Sequence, residues 1–167
     1  MFVSLRRFRE SDAARLAELA NNPKIGNNLR DGFPVPYTLD NAKEFLNRFI
    51  PVETFFAIEH YGEYVGNISL VPLNDVYRKS AEIGYFIAEP FWNKGIASAA
   101  VKIIVQFGFN NLGMMRIQTG VYEYNPASQH VLEKCGFTRE GIFKKAIYKE
   151  GGLWDEVRYA ILNPEIL

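Results

Sequence analysis

A short segment between an apolar strand and a long apolar helix carries the residues best suited to bind an anion. This segment, residues 92–98, precedes a helical run that extends to about residue 110. A helix that begins here points its first backbone N–H groups, and the positive end of its dipole, at one place. Small residues at Gly95 and Ala97 would let a phosphate approach the backbone, and Lys94 adds a positive charge. The segment therefore predicts the anion-binding loop of a nucleotide-bearing cofactor.

The composition predicts one globular domain that spans residues 1–167. Of the 167 residues, 48% are hydrophobic and 14% are aromatic, which is enough apolar surface for a core. The 19 Lys and Arg residues balance the 19 Asp and Glu residues, so we expect no nucleic acid and no membrane as partner. No run approaches the roughly 20 apolar residues of a membrane helix. The one cysteine, Cys135, cannot form an internal disulfide and predicts a cytoplasmic protein, in which we expect it to be a small buried residue.

Hydrophobic periodicity and turn residues predict the order β-α-α-β-β-β-α-β-α-β-β. Predicted helices begin after Ser11 or Asp12, after Thr38, after Gly95 and at Pro126. The predicted strands are residues 2–6, 54–60, 64–70, 80–88, 115–122, 138–149 and 153–162. Helices among mostly hairpin-linked strands indicate an α/β (α+β) fold, with a mixed, mostly antiparallel central sheet of six to seven strands and helices on both faces.

Three parts of the chain together resemble the GNAT superfamily of acetyl-CoA-dependent N-acetyltransferases. They are the opening segment 5–16, the strand-loop-helix around Gly95, and residues 125–137 with their Asn-x-x-Ser and Gly-Phe pairs. The superfamily signature at the loop is Arg/Gln-x-x-Gly-x-Gly/Ala, and Trp92 takes its first position here. Tryptophan at that position is typical of the branch that contains the ribosomal-protein N-terminal acetyltransferases.

The resemblance implies acetyl-CoA as co-substrate. By analogy, the backbone of residues 94–98 would hold the pyrophosphate, and residues 85–87 would pair with the pantetheine arm as an added strand would. The residues implied in cofactor binding are Tyr85, Phe86, Ile87, Trp92, Asn93, Lys94, Gly95, Ile96, Ala97, Ser98, Asn125 and Ser128. No metal is expected, because His60 and His130 lie far apart without other ligands at a recognised spacing.

Two residues are candidates for proton transfer in an attack of an amine on a thioester. Many relatives carry a tyrosine as general acid seven residues after the motif asparagine, but Leu132 occupies that position here. Ser128 is the substitute that the branch offers for protonating the thiolate, although it could also be a polar residue in a helix turn. Glu82 is the candidate base, because strand alternation places it on one face with Gly84 and Phe86, and a solvated or ion-paired carboxylate is the alternative.

The acceptor remains open in the sequence. The branch resemblance favours the N-terminal amine of a protein, possible acceptors also include a polyamine or an aminoglycoside, and a non-catalytic acyl-CoA-binding module is the alternative from another class. Phe33, Tyr37 and Trp154 could line the acceptor side or pack as ordinary aromatic residues, and Asp155 could bind the acceptor or be a surface charge. A monomer or a homodimer fits the superfamily equally well.

Overall fold

The structure, a computed structural model, describes residues 1–166 of the chain. The strands are β1 (Val3–Arg6), β2 (Phe55–His60), β3 (Glu63–Pro72), β4 (Ser80–Ile87), β5 (Arg116–Tyr122), β6 (Thr138–Lys149) and β7 (Gly152–Leu162). The α-helices are α1 (Ala13–Ala20), α2 (Pro23–Gly26), α3 (Leu39–Phe49), α4 (Ile96–Asn110) and α5 (Pro126–Lys134). Three short 3-10 turns occur as well, and one of them, Glu89–Phe91, connects β4 with the loop before α4.

Within residues 1–166, seven strands form a sheet in the order β1-β2-β3-β4-β5-β7-β6. Strands β1 and β2, β2 and β3, β5 and β7, and β6 and β7 pair antiparallel, whereas β4 and β5 pair in parallel. The predicted mixed α/β fold with a mostly antiparallel sheet is confirmed. No helix among the described residues is long and apolar enough to cross a membrane.

Local capping explains why the helices begin where the sequence predicts. The Thr38 hydroxyl accepts a hydrogen bond from the Asn41 N–H, and the Asn41 side chain accepts from the Thr38 N–H, which makes a reciprocal cap on α3. Pro126 occupies the first turn of α5, where its missing N–H costs nothing. The start of α1 differs from the prediction, because the Asp12 carboxylate bonds Arg6 and a preceding backbone N–H instead of capping the helix.

The chain divides into two compact units. Unit 1 comprises Met1–Ser69 and Tyr85–Ala100, and unit 2 comprises Leu70–Gly84 and the described residues from Val101 onward. Each unit carries part of the residues that the sequence predicts for the site. The prediction that residues 1–167 form one domain stays a prediction.

A buried ion-pair cluster organises the start of unit 1. Arg6 on β1 donates from its two terminal nitrogens to both carboxylate oxygens of Asp12, at 2.9 and 2.7 Å, and its Nε donates to Glu59 on β2. The Arg9 backbone N–H donates to the same Asp12 carboxylate at 2.8 Å. Burial alone would raise the pKa of Asp12, but these hydrogen bonds outweigh it and hold the pKa below its usual value. The cluster therefore stabilises the folded state only while Asp12 is ionised.

Unit 2 is built around the β5-β7-β6 arrangement, in which the last strand of the chain lies between two earlier ones. Gly120 on β5 pairs with Arg158 on β7, and Arg158 pairs with Gly141 on β6. Ile104 of α4, Ile117 of β5 and Leu132 of α5 are fully buried. Insertion of β7 brings side chains from the C-terminal segment next to those of β5.

Replacement of Asp12 by asparagine should lower the free energy of unfolding by about 1–3 kcal/mol at neutral pH, because a charged, multiply bonded acceptor is lost. A carboxyl whose folded pKa is depressed contributes stability above its unfolded pKa, and this contribution disappears as the pH falls through the folded pKa. Urea unfolding between about pH 6 and pH 2 should therefore show a steeper loss of stability for the wild type than for Asp12→Asn. The exposed Asp40→Asn is the control, and equal slopes for wild type and Asp12→Asn would contradict this account.

Candidate functional site

The loop between β4 and α4 in unit 1 adopts the shape that the sequence predicts for an anion site. Asn93 and Gly95 have left-handed backbone angles, with φ of 59° and 75°. The Ala99 N–H makes a helical hydrogen bond to the Gly95 carbonyl at 3.1 Å, so the helix itself offers no acceptor to the preceding N–H groups. Residues 96–98 therefore present the donor-rich, positive end of α4. This is the arrangement that binds phosphate groups in proteins.

Glycine is favoured at position 95 mainly by its backbone conformation. Its φ of 75° lies in a region that side-chain-bearing residues rarely adopt. A Cβ at this position would also lie only 3.0 Å from Cε of Met1. The lack of a side chain at Gly95 therefore permits the left-handed turn before α4.

Trp92 joins the loop to the end of the preceding strand. Its indole N–H donates to the Ile87 carbonyl oxygen, with 2.6 Å between nitrogen and oxygen, while its side chain stays partly exposed. The sequence motif predicted that Trp92 belongs to the loop but gave no indication of this bond. This bond connects residues 85–87 with residues 92–98 inside unit 1. The sequence predicts that both segments bind one cofactor.

Three contacts involve the charged residues that flank the loop. The Lys94 ammonium lies 5.4 Å from the centre of the Phe91 ring, which keeps a positive charge beside the loop. Glu89 accepts hydrogen bonds from Lys24 at 2.6 Å and from Asn22 at 2.5 Å. The Lys24 and Asn22 hydrogen bonds lower the pKa of Glu89. No sequence pattern predicted these bonds, because Lys24 precedes Glu89 by 65 positions and Asn22 precedes it by 67 positions.

The aromatic residues of unit 1 favour packing over acceptor binding. Tyr37 is buried, and burial raises its pKa to about 12. Its ring lies 5.0 Å from that of Phe33, which meets the Phe86 ring edge-on at 5.8 Å. Ser98 is also buried and Tyr85 half-buried. Phe86 is thus held by core aromatics at the end of β4.

In unit 2, the motif residues Asn125 and Ser128 are joined by a helix cap. The Ser128 backbone N–H donates to Oδ1 of Asn125 at 3.3 Å, and both side chains are half-buried. His130 on the same helix is exposed. Leu132 is 0% exposed, so the position that holds a general-acid tyrosine in many relatives is a core position here. The Asn125 side chain caps α5, and the role of Ser128 as proton donor stays a prediction.

Glu82 on β4 has the ion-paired surroundings that were its alternative interpretation. Its Oε1 lies 3.9 Å from Nη1 of Arg158, which in turn bonds Glu156 at 2.7 Å. In the parallel pairing of β4 with β5, Glu82 is the partner of Gln118. No sequence pattern predicted Arg158 or Glu156, because both reach Glu82 only through the insertion of β7. The role of Glu82 as base stays a prediction.

Asp155 and Trp154 stabilise the β6-β7 hairpin. Asp155 accepts from the Lys145 backbone N–H at 2.9 Å and from the Lys144 ammonium at 3.1 Å, and these two bonds lower its pKa. Lys145 has a left-handed φ of 50° and lies where the register of β6 shifts. The Trp154 indole donates to the Lys149 carbonyl at 3.2 Å. Both residues therefore stabilise the hairpin, and acceptor binding by Asp155 stays a prediction.

Two further sequence expectations concern cysteine and metal. Cys135 is half-buried, less enclosed than a core residue would be, whereas its neighbours Leu132 and Phe137 are buried. Among residues 1–166, no group of three or more His, Cys, Asp and Glu side chains could hold a metal ion.

Comparison with known proteins identifies relatives along the whole chain. YdaF of Bacillus subtilis, provisionally named a ribosomal N-acetyltransferase, is 32% identical over 171 residues, which is 98% of this chain and 92% of YdaF. The spermidine N-acetyltransferase of Vibrio cholerae, solved in complex with CoA and spermine, is 27% identical with a TM-score of 0.81 and covers 96% of this chain and 95% of its own.

A third relative and a family profile complete the comparison. RimJ of Mycobacterium smegmatis, solved in complex with CoA-disulfide, is 27% identical with a TM-score of 0.83, covering 98% of this chain and 83% of its own. The profile of the acetyltransferase (GNAT) domain matches residues 3–138. Because this match spans most of the sequence and agrees with the fold and the loop at Gly95, the chain belongs to the GNAT acetyltransferase family.

Proposed function

We propose that this protein transfers the acetyl group of acetyl-CoA to a primary amine by direct attack. The observation that carries the proposal is the left-handed turn at Asn93 and Gly95, which leads into the first turn of α4, where the N–H groups have no acceptor within the helix. CoA-bound relatives at 27% identity support the choice of ligand. Acetyl-CoA supplies the activated thioester, and the chain supplies binding, orientation and proton transfer.

The residues of unit 1 fit the cofactor's anionic part. Backbone N–H groups of residues 94–98 would bind the pyrophosphate, with Lys94 adding charge. The backbone of residues 85–87 would pair with the pantetheine arm, and Trp92 would keep this strand end in register with the loop. An N–H near Ile87 would stabilise the charge that develops on the carbonyl oxygen.

The residues of unit 2 would handle the amine and the leaving thiolate. Ser128, placed on the first turn of α5, would donate a proton to the thiolate, and Asn125 would contact the pantetheine region while it caps the helix. Glu82 would take the proton of the attacking amine through water. These assignments rest on the family resemblance and on the half-buried positions of all three side chains.

A protein N-terminus is the acceptor that we propose first, with a polyamine as the second candidate. The relatives point both ways, since YdaF is named for a ribosomal acceptor and the Vibrio cholerae enzyme was solved with spermine. The branch tryptophan, Trp92, favours the protein acceptor. Cytoplasmic location follows from such a substrate and is part of the proposal.

An assay of free-thiol release from acetyl-CoA tests the proposal. The acceptors are a peptide with N-terminal alanine, the same peptide already acetylated as the control, and spermidine. We expect thiol release and one added acetyl group on the free peptide only. Faster transfer to spermidine would make a polyamine the acceptor in place of a protein N-terminus. If acetyl-CoA binds but no thiol is released with either amine, a non-catalytic acyl-CoA-binding module is favoured.

Gly95→Val should weaken acetyl-CoA binding at least about tenfold, because a branched side chain at positive φ distorts the loop and covers the N–H groups. Gly62→Val is the matched control, since Gly62 has a φ of 80° in a hairpin turn with open space around a Cβ. Calorimetric titration of both folded variants checks this. Equal affinity of Gly95→Val and wild type would remove the loop from cofactor binding.

Trp92→Phe keeps an aromatic ring and removes the donor to the Ile87 carbonyl. The bond contributes about 1 kcal/mol, so we expect about fivefold weaker acetyl-CoA binding from a less ordered loop. Trp154→Phe, which removes a similar bond to a carbonyl five residues earlier, should leave cofactor affinity unchanged. Titration of both variants decides, and the same affinity in the two would show that the Trp92 bond does not organise the loop.

Ser128→Ala should lower kcat about 100-fold while the dissociation constant of acetyl-CoA stays within about twofold. Alanine is well tolerated in a helix, so α5 should remain intact. Ser69→Ala, at a half-buried serine of β3, is the control for general effects. Steady-state kinetics measure the change, and a normal kcat in Ser128→Ala would exclude Ser128 as the proton donor.

A further inference from the structure

A half-buried charged cluster in unit 2 surrounds the Glu82 carboxylate. Nη1 of Arg158 lies 2.7 Å from Oε1 of Glu156 and 3.9 Å from Oε1 of Glu82. The guanidinium carbon also lies 5.5 Å from the centre of the Phe143 ring on β6. The ion pair with Glu156 and the contact with the Phe143 ring therefore fix the Arg158 guanidinium independently of Glu82.

The lack of a side chain at Gly120 leaves the space that the Glu156–Arg158 ion pair occupies. A Cβ on Gly120 would lie 2.7 Å from Nη1 of Arg158 and closer still to the Glu156 carboxylate. Real side chains do not approach this closely, so any larger residue would displace the pair. In the register, Gly120 and Tyr122 of β5 lie directly opposite Arg158 and Glu156 of β7. The missing side chain at Gly120 thus has a steric consequence for the position of Arg158.

We propose that Arg158 is a positioning residue that holds the Glu82 carboxylate in one orientation for the acceptor amine. The inference rests on the proposed acetyltransferase function. A glutamate side chain loses rotamer freedom when it is fixed, and an immobilised cation on one side supplies that restraint before the substrate arrives. Glu156 and Phe143 act through Arg158, and Gly120 gives them room.

The charges around the cluster come from four strands. Glu82 is on β4, Arg116 on β5, Glu140 on β6, and Glu156 and Arg158 on β7. Arg116 bonds Glu140 through both terminal nitrogens, so these two compensate each other. Arg158 lies near both the Glu82 and the Glu156 carboxylates, so its removal would take a positive charge away from each of them. Loss of this one charge should therefore affect the acceptor step more than a general structural change would.

The first test compares Arg158→Met with Arg158→Lys, using whichever of the alanine peptide and spermidine the wild type acetylates. We expect kcat/KM for the amine to fall about tenfold or more in Arg158→Met, with KM for acetyl-CoA within about twofold of wild type. Arg158→Lys retains the charge and should recover most of the loss. An amine kcat/KM within about twofold of wild type in Arg158→Met would overturn the inference. The inference would also be overturned if kcat/KM fell equally for the amine and for acetyl-CoA, and by the same factor in Arg158→Met and Arg158→Lys.

The second test keeps Arg158 but adds a side chain at Gly120, in the space that the Arg158 guanidinium occupies. Gly120→Ala should reproduce the selective loss in amine kcat/KM, because the added methyl group displaces the Glu156–Arg158 pair. Gly141→Ala is the matched control, since Gly141 is a strand glycine paired with the same Arg158 and a Cβ there meets nothing within 4 Å. Equal kinetics of the two alanine variants would contradict the proposal. A wild type that binds acetyl-CoA but acetylates no amine would instead refute the proposed function itself.

Discussion

The left-handed turn before α4 is the constraint from which the function of this chain follows. Two residues with positive φ, Asn93 and Gly95, bring the chain from the end of β4 to the start of α4. The first N–H groups of α4 have no acceptor within the helix, and the Trp92 indole bonds the loop to the Ile87 carbonyl. A strand end that can pair with an extended ligand and a helix end that can bind its phosphates are thereby connected by one short segment.

Two clusters of charged residues away from this loop each lie within a single unit. In unit 1, Arg6 is shared between Asp12 and Glu59, and in unit 2, Arg158 is shared between Glu156 and Glu82. The two clusters differ in what they serve. The first joins β1, β2 and the start of α1 and stabilises the fold, whereas the second holds a carboxylate that the family resemblance assigns to chemistry. Similar electrostatics thus serve stability in one unit and orientation in the other.

The sequence was sufficient for the elements and for the motif loop, but not for contacts created by strand order. Thr38 and residues 126–134 predicted helix limits correctly, because caps and proline act locally. The bond from Trp92 and the approach of Arg158 to Glu82 could not be predicted, since each depends on a backbone path or on the placement of β7 between β5 and β6. Local signals therefore give the elements and the loop, and long-range pairing decides which side chains surround a candidate base.

Calorimetric titration of the wild-type protein with acetyl-CoA, beside NADH as a second nucleotide ligand, tests the central claim most directly. Both ligands carry a pyrophosphate, so the comparison separates a site for this cofactor from a general affinity for anions. We expect binding of acetyl-CoA in the micromolar range and none of NADH. Absence of acetyl-CoA binding, or equal binding of both ligands, would contradict the assignment of the loop at Gly95 and the function derived from it.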